Sequence, residues 1–181
     1  MIINREIVQD FCQLKKLRMI TLFLIGSIFV TTSSVLAQSD RFNFELAYLE
    51  QELTKSGFMV KRTLPPYQNR YGIRPYGSVS NKESIVWLNP VVFELGNALP
   101  TLVHETVHAA QLCKGDRTTF KLLDLKLDPP KITHPYFLRY HNYRRAIEAE
   151  AYTVQVQPNS VELAVGLLEQ NCLNQKKRNK L

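Results

Sequence analysis

Two histidines four residues apart, His104 and His108, have the spacing in this chain that most directly suggests chemistry. Residues four apart lie on the same face of a helix, so both imidazoles can point to one position and hold one divalent cation. Glu105 follows the first histidine and can act as a general base toward a water molecule beside that cation. The pattern therefore predicts a metal site with hydrolytic chemistry. The alternative is a buried helix with two hydrogen-bonded histidines.

The segment around this motif carries the signals of a helix. Asn97 is a candidate N-cap, Pro100 suits a first turn, and Gly115 is a stop signal. Apolar residues recur at helical spacing beside the histidines, namely Leu99, Leu102, Val103, Val107 and Ala110. The sequence therefore predicts a helix between Asn97 and Gly115.

The third protein ligand of such a site is expected on a later helix. A catalytic zinc usually takes three protein ligands and leaves one position for water. A second long helix is predicted over residues 135–157, and it carries Glu148 and Glu150. Because these carboxylates are two positions apart, they point to different sides, and only one of them can face the metal. The alternative for Glu150 is a surface carboxylate paired with Arg144 or Arg145.

The two motifs together, His104-Glu105-Thr106-Val107-His108 and then Glu148-Ala149-Glu150-Ala151-Tyr152, resemble those of the gluzincin metallopeptidases. The resemblance covers roughly residues 84–157. It implies Glu148 as the third ligand, one zinc ion as the cofactor and a peptide or protein as the substrate. In that family an acidic residue four positions after the glutamate supports the first histidine, whereas this chain has Tyr152 there.

A group of histidines and tyrosines precedes Glu148: His134, Tyr136, Tyr140, His141 and Tyr143. His141 lies seven residues before Glu148, so on a continuous helix the two side chains share a face. His141 is therefore a candidate catalytic residue that would stabilise a tetrahedral oxyanion. The alternative is a helix start with partly exposed aromatic side chains.

The remaining pattern predicts an α+β fold, with a small antiparallel or mixed sheet packed on a helical core. Helices are expected over residues 40–56 and 160–172, with a short one among the leucines of residues 122–127; strands are expected over residues 58–64, 76–79 and 84–88. Together they would form a minimal zincin-like metallopeptidase domain over residues 38–173. The family resemblance implies that the third strand presents its edge to an extended substrate; the alternative is a plain core strand.

The two ends of the chain differ in composition from the middle. Residues 1–37 are predicted to be a signal peptide, because basic residues precede an apolar run and a small-residue cleavage site at Val35-Leu36-Ala37. The alternative is an uncleaved segment that would be the only contact with a membrane. Residues 174–181 are predicted to be a basic disordered tail. The expected location is therefore secreted, periplasmic or in the cell envelope.

The net charge of +7 comes partly from these ends, and no basic stripe is interleaved with aromatics, so a nucleic-acid partner is not expected. Of the three cysteines, Cys12 falls in the predicted signal peptide. Cys113 and Cys172 remain as a pair, and a disulfide between them is expected in an exported chain. The alternative is two buried free thiols.

The functional prediction is zinc-dependent hydrolysis of peptide bonds, with Glu105 as the general base. One alternative is a catalytically inactive metal-binding or partner-binding domain of the cell envelope. Another is metal-assisted hydrolysis of a non-peptide amide.

Overall fold

The computed structural model describes residues 39–68 and 72–173, without the side chain of Leu173. The predicted signal peptide, with Cys12, and the predicted basic tail lie outside the described residues. The chain divides into two units, residues 1–43 and residues 44–181. Of the first unit only residues 39–43, at the start of the first helix, are described.

The described chain is α+β, as predicted, and its sheet is mixed. The helices are α1 (39–55), α2 (Val91–Glu94), α3 (Ala98–Lys114), α4 (His134–Phe137), α5 (Asn142–Gln155) and α6 (Ser160–Leu168). A 3-10 turn, Lys131–Thr133, precedes α4, and a π-helical turn, Glu169–Leu173, follows α6. The strands are β1 (Met59–Lys61), β2 (Gly77–Ser80) and β3 (Ile85–Leu88).

The sheet has the order β1-β3-β2, with β1 parallel and β2 antiparallel to β3. All four residues of β3 are buried, because the strand is paired on both sides and covered on both faces. The expectation that residues 84–88 offer a free edge to substrate is therefore wrong. Among the described strands, the edges belong to β1 and β2.

Helix α3 lies at the centre of the unit formed by residues 44–181 and packs against α5, α6 and the sheet. Asn97 is its N-cap residue and Gly115 its C-cap residue, as the sequence predicts. Every residue from Thr101 to Cys113 is buried except His104, which is half-buried. Helix α3 is therefore a rigid support for the side chains that it carries.

The predicted continuous helix over residues 135–157 is wrong, because the chain breaks between α4 and α5. His141 has an extended backbone, with φ −85° and ψ 139°, and α5 begins only at the next residue. The short helix expected at residues 122–127 is also absent from the described chain. There the backbone N–H groups of Leu123 and Asp124 donate to the Glu150 carboxylate instead of to helical carbonyls.

A disulfide joins Cys113 to Cys172, with their Cα atoms 5.0 Å apart, and confirms the expected pairing. It ties the last turn of α3 to the π-helical turn after α6. Within the described residues, no helix combines the length and apolar character needed to cross a membrane.

Candidate metal centre

Three side chains converge between α3 and α5. The Nε2 atoms of His104 and His108 are 3.0 Å apart. The Oε2 atom of Glu148 lies 3.4 Å from the first of these nitrogens and 3.6 Å from the second. Of the described histidines, cysteines and acidic residues, these three alone form a group that could hold a metal ion.

The spacing of these three atoms fits a tetrahedral zinc ion. Zinc bonds to nitrogen and oxygen of about 2.0–2.2 Å at tetrahedral angles place neighbouring ligand atoms about 3.3 Å apart. The three separations, 3.0, 3.4 and 3.6 Å, lie around that value. The set of two imidazoles and one carboxylate is also a ligand set used by catalytic zinc. The residues present therefore fit the metal that the sequence predicts.

A side-chain amide binds the second nitrogen of each histidine. The Nδ1 atom of His104 is 3.0 Å from Oε1 of Gln155, and Nδ1 of His108 is 2.7 Å from Oε1 of Gln111. An amide oxygen only accepts hydrogen bonds, so with the amides in this orientation each Nδ1 is the donor. In the neutral imidazoles the lone pairs therefore lie on the Nε2 atoms, which face each other and Glu148. Three facing acceptors repel one another unless a cation or a proton lies among them.

Glu105 lies beside this cluster, between α3 and β2. Its side chain is buried, and a Cβ atom built on Gly77 would lie 2.5 Å from its Oε1 atom. The carboxylate therefore occupies space that exists because residue 77 is glycine. Burial raises the pKa of Glu105, although the nearby His108 and His104 partly oppose this effect. A carboxylate with a raised pKa is a stronger proton acceptor.

Within the cluster, His108 and Glu148 shift each other's pKa. Burial by itself lowers the pKa of His108, but hydrogen bonding to Glu148 and the charge of Glu105 raise it to about 8. Burial by itself raises the pKa of Glu148, but its hydrogen bonds to His104 and His108 hold it well below the usual range. In the metal-free protein a proton can thus take the place of a cation among the three side chains.

Aromatic and basic side chains surround the cluster. The ring of Tyr152 packs edge-on against His104, with centroids 4.5 Å apart, and Phe120 packs against His108 at 5.7 Å. The Nε atom of Arg144 is 3.6 Å from Oε1 of Glu148. Its guanidinium also lies over the ring of Tyr140. The site is therefore walled by aromatic rings, with one exposed cation beside the glutamate.

Of the two candidate carboxylates, the structure brings Glu148 to the histidines and turns Glu150 away. Glu150 accepts hydrogen bonds from the backbone of Leu123 and Asp124 and from the amide of Gln111. The alternative pairing of Glu150 with an arginine is wrong; Arg144 lies instead beside Glu148.

His141 is exposed, precedes the first residue of α5 and is not part of the three-residue group. The argument that placed it on one helical face with Glu148 fails because the helix is not continuous. Its catalytic role stays a prediction without geometric support.

Sequence reasoning missed both Gln155 and Gln111 as partners of the histidines. A signal for Gln155 was present, because residue 155 follows Glu148 by seven positions and so shares its helical face. The signal for Gln111 was its spacing of three from His108, which places the two side chains in reach of each other on α3.

Comparison of the chain with family models, with curated proteins and with solved structures gives no match.

Proposed function

We propose that this protein is a small exported zinc metallopeptidase, in which His104, His108 and Glu148 hold the metal. The observation that carries the proposal is the convergence of three donor atoms, from two helices, at separations suited to one zinc ion. The buried carboxylate of Glu105 beside them supplies the base that hydrolysis requires.

A zinc ion held there would polarise the carbonyl of the scissile amide and make a nearby water molecule more acidic. Glu105 accepts the proton of that water as it attacks, and then returns the proton to the nitrogen of the leaving amine. Burial raises the pKa of Glu105, which makes its carboxylate the stronger proton acceptor that the first transfer requires. His104 and His108 would bind the metal as neutral imidazoles, with their ring protons on Nδ1.

The substrate would bind along β2, which is the edge strand beside Glu105. The backbone N–H of Asn89 donates to the carbonyl of Tyr76, at 2.8 Å, and antiparallel pairs alternate between bonded and non-bonded positions. Gly77 and Val79 therefore direct their backbone groups away from β3. An extended peptide can pair with such groups, as in β-augmentation.

Export is supported by the disulfide between Cys113 and Cys172, since disulfides persist in oxidising compartments. Together with the predicted signal peptide of residues 1–37, this favours a secreted, periplasmic or cell-envelope location.

The test compares native protein with Glu105→Gln for zinc content and for cleavage of a peptide library. We expect one zinc per chain in both proteins, and a loss of hydrolysis of at least 100-fold in the variant, because the proton acceptor is gone. The matched control is Glu162→Gln, which makes the same change at an exposed position of α6. The mechanism fails if native protein binds no zinc or if Glu105→Gln cleaves normally.

The neutral partners of the histidines favour a second candidate, a catalytically inactive metal-binding or partner-binding domain of the cell envelope. Both Nδ1 atoms face amides, whereas carboxylates would strengthen the imidazoles as ligands and bases. The same library separates the two candidates: native protein that holds zinc and cleaves no peptide supports the inactive domain. Non-peptide amides added to the library test the third alternative, which is metal-assisted hydrolysis of a non-peptide amide.

A further inference from the structure

Glu150 and Gln111, which are not among the proposed ligands, form a hydrogen-bonded chain that ends at the proposed ligand His108. The Nε2 atom of Gln111 donates to Oε2 of Glu150, at 2.9 Å, and to the carbonyl of Ile147, at 3.0 Å. The other end of the same amide, Oε1, faces Nδ1 of His108 at 2.7 Å. Gln111 is fully buried, so water does not compete for these contacts.

The orientation of the Gln111 amide is determined by its partners. Both groups on one side, the Glu150 carboxylate and the Ile147 carbonyl, only accept hydrogen bonds. A flipped amide would direct its oxygen at two acceptors and leave its NH2 group against His108. The amide oxygen must therefore face His108 and receive a proton from Nδ1.

We propose that Glu150 is a positioning residue, which acts through Gln111 to keep the proton of His108 on Nδ1. With the proton on Nδ1, the Nε2 lone pair of His108 stays free and points at His104 and Glu148. An Nε2–H form would direct a proton at the position where a cation binds. The inference rests on the proposed metal site for its purpose, but the tautomer itself can be observed without a metal.

The same carboxylate also couples the site to the segment after α3. Oε2 of Glu150 accepts from the N–H of Leu123 at 2.8 Å, and Oε1 accepts from the N–H of Asp124 at 2.8 Å. Phe120, which lies in the same segment, packs against the His108 ring. These contacts give Glu150 a structural role of its own, although its carboxylate does not reach the histidines as that of Glu148 does.

The first test measures the tautomer in native, metal-free protein labelled with 15N. At alkaline pH, where the imidazoles are neutral, a long-range 1H–15N correlation spectrum shows which ring nitrogen carries the proton. We expect the proton of His108 on Nδ1. A proton on Nε2 overturns the proposal, whatever the protein does with zinc.

The second test asks whether Glu150 acts through Gln111. Glu150→Gln keeps the size of the side chain but replaces one acceptor with a donor, so one of its contacts becomes donor against donor. We expect this variant and Gln111→Leu each to move His108 toward the Nε2–H form and to weaken zinc binding about 10- to 100-fold. In the Gln111→Leu background, Glu150→Gln should add little.

An equal cost of Glu150→Gln in both backgrounds would show an independent effect and overturn the proposal. The matched control, Glu162→Gln, should change neither the tautomer nor the zinc affinity. If native protein holds no zinc but His108 carries its proton on Nδ1 and both variants shift that proton toward Nε2, the proposed function fails and this inference stands. Should a variant fail to fold, a native spectrum with the proton on Nε2 still overturns the proposal.

Discussion

Gly77 and Glu105 are complementary in size across the contact between β2 and α3. A methyl group on residue 77 would lie 2.5 Å from Oε1, 2.6 Å from Cγ and 2.8 Å from Cδ of Glu105. Separations this short are not tolerated, so the carboxylate would have to move. The Glu105 carboxylate, the proposed base, can therefore occupy its position only because residue 77 has no side chain.

Gly77→Ala should therefore impair hydrolysis while leaving the metal in place. We expect activity to fall at least tenfold, because a displacement of about 1 Å can cost 100-fold in rate. Zinc content should stay at the native value. Gly166→Ala is the control, since a Cβ atom there meets nothing within 4 Å and alanine is the better helix former. Native activity in Gly77→Ala would show that Glu105 is not the base or that its position is not critical.

Proton competition at His108 gives the metal affinity a defined pH dependence. Burial by itself lowers the pKa of His108, but hydrogen bonding to Glu148 and the charges of Glu105 and Glu148 together raise it to about 8. Below that pH a proton must therefore leave before Nε2 can bind a cation. We expect zinc affinity to rise about tenfold per pH unit up to about pH 8 and then to level off. Chelator competition across the pH range measures this. An affinity that falls as pH rises would contradict the assignment of His108 as a ligand.

At the scale of elements, helix α3 could be predicted because its signals are local. Its bounding residues, Asn97 and Gly115, and its apolar stripe are adjacent in sequence, and they gave the correct ends. The spacing of His104, His108 and Glu105 on one helix followed directly. The break before α5 was missed, because no proline or glycine marks residues 138–141 and the extended backbone at His141 depends on packing.

Local sequence patterns did not predict the contacts between elements that are distant in the sequence. The position of β3 in the middle of the sheet depends on pairing with β1 and β2, which the strand's own four apolar residues do not specify. The choice of Glu148 over Glu150 came from a family resemblance, since spacing alone allowed either. The role of Glu150 in holding residues 123–124 depends on how α5 packs against the segment after α3.

The disulfide joins two elements that lie 59 residues apart in sequence, and its removal should destabilise the fold. Closing a loop of that length restricts the unfolded chain by about 4 kcal/mol. We expect the double change of Cys113 and Cys172 to alanine to lower the free energy of unfolding by roughly that amount, as measured by urea titration. The same loss should follow when the native protein is reduced. An unchanged midpoint in reductant would contradict this contribution.

At the scale of the whole unit, the proposed metal centre lies between helices that are already joined by other contacts. Gln111 on α3 donates to the carbonyl of Ile147 on α5 at 3.0 Å. Ala151 and Val154 of α5 are buried, and the disulfide holds α3 to the turn after α6. A cation at the site would therefore add to an assembled core, unlike the metal of a zinc finger, which is required for folding.

Removal of zinc should consequently lower thermal stability without unfolding the protein. At a free zinc concentration about 1,000 times the Kd, binding stabilises the folded state by about 4 kcal/mol, which corresponds to a shift on the order of 10 °C for a domain of this size. We expect a chelator to lower the midpoint by that order while the far-UV circular dichroism at 25 °C stays native. Glu148→Gln, which replaces a proposed ligand, should show a much smaller response to the chelator. Loss of the helical signal on chelation would instead identify a structural metal, because only a cation that is needed for folding unfolds the chain when it leaves.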